Sequence, residues 1–283
     1  MTAGVLCSQV NPMNEPFWKK LFAPGGFEWA FRMRKGDAGE FFSQQDGSGE
    51  LLRARRRSLD AYPERHVATM PGSAALIDGV WDVALGLGQV ENSANGSRDL
   101  AALSRLWEAD LLVMDQETKK VAAAAVCFPS SWDPAGAVGK ILDEVHGVVP
   151  RLNPQIGTMI DRFLEKLSPG KSYCRENWSF TRTADLDYHP EVGRRRLDDS
   201  VTLDELFLRV EHQLFTGIPG GVLMGIRIEV CPLVDLATVP GVWRLTAEKI
   251  RTMPEDVARY KSMDAAIEGM LREMEAFQPT GGE

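Results

Sequence analysis

Cysteine and histidine are scarce in this chain of 283 residues, with four of each. Cys7, Cys127, Cys174 and Cys231 stand far apart, and no CxxC occurs. That excludes the spacings by which one chain usually holds zinc or an iron–sulfur cluster, and it offers no disulfide framework. Free thiols are expected in a reducing cytoplasm. His66, His146, His189 and His212 form no pair at helical spacing, so a metal centre built from several imidazoles is not expected. The Walker loop, G-x-S-x-G, HExxH and a strand-borne GxGxxG are all missing. No apolar run approaches the roughly 20 residues that span a bilayer, and no signal peptide is recognisable. Basic residues are outnumbered, 32 against 40, for a net charge of −8. Nucleic acid needs a positive patch, so neither nucleic acid nor membrane is an expected partner. The runs Arg53-Ala54-Arg55-Arg56-Arg57 and Arg194-Arg195-Arg196 read as solvated faces or local anion contacts.

What is present suits a soluble globular protein: 44% hydrophobic and 25% charged residues, enough for a core without staples. Residues 1–50 read as an irregular arm carrying Phe17, Trp18, Phe22, Phe27, Trp29 and Phe31, with a turn at Asp46-Gly47-Ser48-Gly49. Helices are predicted from Glu50 to Tyr62 and from Ala74 to Leu87. The loop Asn92 to Ser97 marks a seam between an N-terminal part, 1–98, and a core, 99–283. Leu100, Leu103, Leu106, Trp107 and Leu111 predict a helix from Asp99 to Leu112. Leu111 to Asp115 and Val121 to Phe128 read as a hairpin. Ile156, Met159, Ile160, Phe163, Leu164 and Leu167 give an amphipathic helix, and Tyr173 to Thr183 a strand. Thr202-Leu203-Asp204-Glu205 reads as a capping box opening a helix with Leu203, Leu206, Phe207, Val210 and Leu214 on one face. Val222 to Val230 alternates as a half-buried strand, and Val242 to Phe277 is helical with a break near Met253-Pro254. Strands and helices do not alternate regularly, so the expected class is α+β.

One stretch, residues 126–150, concentrates Pro, Gly and Trp132 around a lone imidazole between apolar neighbours, Glu144-Val145-His146-Gly147-Val148. It is expected to build one wall of a cofactor pocket. A neutral His146 there can ligate haem iron, or it is a core histidine satisfied by a backbone carbonyl. Trp132 and Trp178, beside Asp133 and Asn177, either wall a flat cofactor or fill the core. Arg175, Arg209 and Arg227 stand in apolar contexts, where a guanidinium pairs with an internal carboxylate such as Glu211 or with a ligand's carboxylates. His212 falls on the helix predicted from Thr202, with Arg209 and Glu211 pointing to different sides. His189, in a polar loop, reads as surface. Asp110 orients a polar group inside or ends a helix.

Taken together, Cys127-Phe128-Pro129-Ser130-Ser131-Trp132-Asp133-Pro134 with Gly139-Lys140, His146 with Val148-Val149-Pro150, Arg175-x-Asn177-Trp178, Leu208-Arg209-Val210-Glu211-x-Gln213 and Ile226-Arg227 resemble the haem-dependent oxidative N-demethylase family. The resemblance runs from about Phe31 to about Tyr260-Lys261. It implies a PAS-like antiparallel sheet flanked by helices, with haem b in its cavity. It further implies oxidation of a small amine, or a related biosynthetic intermediate, by dioxygen, with electrons from NADPH through a separate flavin and iron–sulfur partner. On that reading His146 is the iron ligand. Trp132, Arg175, Asn177, Trp178, Arg209, His212 and Arg227 hold the cofactor, and Asp110 and Glu211 serve substrate or protons. The chain departs from the pattern at Trp107-Glu108-Ala109-Asp110, where only Asp110 aligns with an expected acidic pair. It departs again at His212, which replaces an arginine, and at Gly147-Val148, where a proline is usual at the second position. The alternative is a haem or small-ligand sensor of the same fold without turnover. An oligomer is compatible with either reading.

Overall fold

The computed structural model describes residues 15–91 and 98–277, and within them the chain builds an antiparallel sheet of seven strands. In chain order these are β1 (Arg34–Lys35), β2 (Val67–Thr69), β3 (Asp110–Asp115), β4 (Val121–Ala125), β5 (Ser172–Thr181), β6 (Phe207–Ile218) and β7 (Gly221–Pro232). Their spatial order is β1-β5-β6-β7-β3-β4-β2. Helices α1 (Glu15–Leu21), α2 (Ala38–Phe42), α3 (Glu50–Ala61), α4 (Pro63–His66), α5 (Ala74–Gly86) and α6 (Leu100–Ser104) accompany the first strands. Helices α7 (Pro134–Ala137), α8 (Leu142–Gly147) and α9 (Thr158–Lys166) all fall between β4 and β5. After β7 come α10 (Val242–Arg251), α11 (Glu255–Tyr260) and α12 (Ile267–Ala276). Among the described residues no helix is long and apolar enough to cross a membrane.

Side chains alternate across a strand, so the pairing assigns each residue to a face. Arg175, Asn177 and Ser179 of β5 lie opposite Gln213, Glu211 and Arg209 of β6. These in turn face Ile226, Ile228 and Val230 of β7, and Ile226 faces Asp110 of β3. The helices between β4 and β5 cover this first face. Trp132, Val138 and Val145 pack on Leu112, Met224, Ile226 and Ile228, and the Phe163 ring meets those of Tyr173 and Phe215 edge-on. The second face carries the larger cores. Phe42, Val80, Leu100 and Leu103 close on Leu111, Val113, Leu214 and Leu223, while the C-terminal helices bring Leu245, Ile250, Val257 and Met270 onto Phe180, Leu208 and Val210. Burying such side chains contributes about 1.5–3 kcal/mol each. Gly217 allows a close approach: a Cβ there would sit 2.2 Å from the Ser168 carbonyl oxygen.

The α+β class, the helices at α3, α5 and α9 and the strands at β3, β4, β5 and β7 stand where the sequence predicts them. Four expectations fail. Thr202 opens only a 3-10 turn, Leu203–Glu205, and the helix predicted after it is the twelve-residue strand β6. Leu206, Val210 and Leu214 are four apart, a spacing that fits a helical stripe and one face of a strand equally. As a strand, β6 puts Arg209, Glu211 and Gln213 together and His212 on the other side, so Arg209 and Glu211 do not diverge. The helix predicted from Asp99 ends at Ser104, and Leu111 belongs to β3 for the same reason of spacing. Residues 1–50 are not wholly irregular, since α1, β1 and α2 lie in them. His189 is 4% exposed rather than on the surface, its Nδ1 accepting from the Glu191 amide at 3.3 Å. The Asn92 to Ser97 seam lies outside the described residues.

Candidate functional site

Between the first face and α8 lies a crevice whose groups feel one another's charge. On the sheet side Glu211 accepts from the Asn177 amide at 3.2 Å and from the Gln213 amide at 2.9 Å. Arg175 stands beside them, its Nε buried without a partner among the described residues. Burial lowers the Arg175 pKa, with Glu211 and Glu176 working the other way. On the helix side His146 is half-buried on α8. Burial, and then the Arg175 guanidinium, push its pKa down to about 4. The imidazole is therefore neutral at physiological pH, the form in which a ring nitrogen offers its lone pair to a metal. Trp132, Val145 and Ile228 pack beside the crevice on the cluster of Leu112 and Ile226.

Lys261, just past α11, completes the far end. Its ammonium donates to the Trp178 carbonyl at 2.7 Å and sits over the Trp29 and Trp178 rings at 5.2 and 5.4 Å. Burial pushes its pKa down to about 8, with Glu211 opposing and Arg175 assisting. Burial also raises the neighbouring Tyr260, helped by Glu211.

Arg175 thus links His146 to the pair Glu211 and Asn177, and Trp132 packs on the same face of the sheet. The other expected residues lie elsewhere or are engaged. Asp110 is buried and accepts from Arg55 Nη1 at 2.6 Å, the Cys127 amide at 2.7 Å and the Phe128 amide at 3.1 Å. Arg209 donates to Ser130 Oγ at 2.8 Å and to the Phe128 carbonyl at 2.7 Å, and its guanidinium lies 5.4 Å from the Tyr188 ring centre. These two residues fix the loop that carries Trp132. Trp178 turns to the second face, against Phe22, Phe27 and Phe180. His212 and Arg227 also lie there. His212 Nε2 meets Glu229 at 2.8 Å beneath a stacked Phe17, and Arg227 donates to Glu108 and to the Phe41 and Ser43 carbonyls. They line a cavity of about 870 Å³ with Phe17, Arg34 and Glu176, and Arg175 and Gln213 border it as well.

Sequence reasoning missed Arg55, Lys249, Tyr260 and Lys261. Arg55 sits inside the first arginine run yet is wholly buried; its neighbour at i+4, Leu59, shares that inward side. A lone lysine closing a polar helical segment gives no signal, and only the end of the family pattern near Tyr260 pointed that way. Residues 51–270 match the family model described as haem-dependent oxidative N-demethylase, alpha subunit-like. That span holds every residue of the crevice except Trp29.

Proposed function

Because the chain belongs to the haem-dependent oxidative N-demethylase, alpha subunit-like family, we propose that it holds haem b in the crevice under α8 and oxidises a small amine, or a related biosynthetic intermediate, with dioxygen. The residues fit such a group. Five of the strands run in the order β5-β6-β7-β3-β4, with α7 to α9 inserted between β4 and β5, which supports a PAS-like cavity on the first face. A porphyrin brings its own nitrogen donors, so one imidazole suffices, and His146 is the neutral one that faces this cavity. Ile226, Ile228, Val145 and Trp132 supply apolar walls. When bound, the haem supplies dioxygen activation, and the chain supplies ligation, orientation and protons.

Within that division His146 ligates the iron. Glu211, fixed by two amide donors, receives the protonated nitrogen of the substrate and exchanges a proton with it. Asp110 and Arg209 act at one remove, by holding the loop of Trp132. In this reading the electrons come from NADPH through a separate flavin and iron–sulfur partner, in the cytoplasm; a family described as alpha subunit-like supports work beside other subunits. The observation that carries this reading is the neutral His146 within electrostatic reach of Arg175, which in turn stands beside Glu211. The test is the visible spectrum of the purified chain. A Soret band that His146→Ala weakens or shifts, and that moves on adding small amines, is expected. Turnover with a reductase should release an aldehyde. A wild-type chain without a Soret band after haem reconstitution would sink the proposal, and gas binding without turnover would favour a sensor.

A further inference from the structure

Strand β1 pairs with β5 only at Tyr173 and Cys174, so the rest of the outer edge of β5 has no strand partner among the described residues. A cavity of about 410 Å³ opens there, bounded by Phe27, Trp29, Arg175, Trp178, Lys249 and Lys261. Its two carboxylates are already engaged, Glu28 with Arg32 and Glu176 with Arg34. Arg175, Lys249 and Lys261 feel carboxylates at a distance but form no ion pair among the described residues. Among the described residues the ammonium of Lys249 hydrogen-bonds only to the Gly26 carbonyl, at 2.7 Å, and that of Lys261 only to the Trp178 carbonyl. Arg175 Nε has no hydrogen-bond partner among them. Buried cations without counter-ions are costly unless a ligand supplies the negative charge. Aromatic walls beside them suit a flat ligand. Arg175 and Asn177 belong both to this cavity and to the crevice of His146 and Glu211, so the two spaces adjoin at β5.

We propose that this edge cavity is the carboxylate end of the site, where Arg175 and Lys261 take the haem propionates and Lys249 adds positive potential at the mouth. The inference rests on the haem reading above and deepens it. It also excludes Arg209 and Arg227 from that role, because their guanidinium donors are bonded to protein oxygens and Arg227 points to the opposite face.

The experiment is a Soret titration of the wild type, Lys261→Met and Arg175→Gln with haem and with haem dimethyl ester, whose carboxylates are masked. Charge-assisted bonds of this kind predict a loss of roughly 10- to 100-fold in haem affinity for each variant. Affinity for the ester should be the same in variant and wild type, and Lys261→Arg should restore most of the loss. Iron-free protoporphyrin, followed by fluorescence, separates this end from the ligand end: Lys261→Met should weaken it and His146→Ala should not. Near-ultraviolet dichroism checks that each variant is folded. Variants that bind haem as the wild type does, or that lose haem and ester equally, would overturn the inference. A wild type that binds neither overturns the haem reading itself, and this inference with it.

Discussion

Asn177 and Glu211 face each other across β5 and β6, and the amide of the first donates to the carboxylate of the second at 3.2 Å. Gln213 donates to the same oxygen, Oε2, at 2.9 Å. Both amides therefore hold one side of the carboxylate and leave Oε1 for a ligand. Glu211→Gln should retain the Soret band and lower kcat by roughly 10²- to 10⁴-fold, the usual share of a general acid or base. Steady-state aldehyde release at saturating amine checks this. An unchanged kcat would remove Glu211 from the reaction.

His146 links the site to acid stability. Its folded pKa of about 4 lies below the ordinary imidazole value of 6.5, so the unfolded chain takes up this proton first as pH falls. The residue carries no penalty above about pH 6.5, an increasing one between there and pH 4, and its full penalty below. The haem-free wild type should lose on the order of 2 kcal/mol more than His146→Asn between pH 7.5 and 4.5. Urea unfolding of both proteins at the two pH values measures it, and parallel losses would show that the imidazole does not titrate as described.

Asp110→Ala should destabilise by about 3–5 kcal/mol, because it leaves the Arg55 guanidinium charged and buried. Arg55→Met combined with Asp110→Leu should recover the part due to the unpaired guanidinium, and not the part due to the Cys127 and Phe128 amides that Asp110 accepts from. Urea midpoints test both. Activity lost in Asp110→Ala should return on conditions that restore the fold, as a residue holding a loop requires.

Arg209→Lys keeps the charge but loses the fork that spans Ser130 Oγ and the Phe128 carbonyl. The expected cost is about 1–3 kcal/mol, with faster amide exchange in residues 128–132 and weaker haem binding. Hydrogen exchange by mass spectrometry locates the effect. Exchange unchanged in that loop would show that Arg209 does not fix it.

Much of the sheet was legible because its strands announce themselves. The alanine run of β4 reads as a strand closed on both faces, and all its residues are buried. Strand β6 misled because Leu206, Val210 and Leu214 fit either period. The polar residues Arg209, Glu211 and Gln213, two apart, already carried the strand signal. The crevice was half legible. His146 and Asn177 came through the family pattern, as did Glu211. That pattern could not separate residues that face the crevice from those that brace it, because both kinds, Arg175 and Arg209 alike, are arginines among apolar neighbours. Which carbonyl or cavity a guanidinium meets depends on partners up to 186 positions away in the chain. Lys261 was out of reach for the same reason.

Strand β6 is hydrogen-bonded along both edges and packed on both faces, against the two large cores on one and against Phe163 and the loop of Ser130 on the other. A substitution in it therefore touches one side of the molecule, but a change of length touches both. Inserting one residue between Gln213 and the turn at Gly220 would turn Glu211 toward the N-terminal arm and present the His212 imidazole to the crevice in its place. Homologous chains with intact chemistry should accordingly vary in the loop before Phe207 and keep the count between Arg209 and the turn at Gly220 invariant.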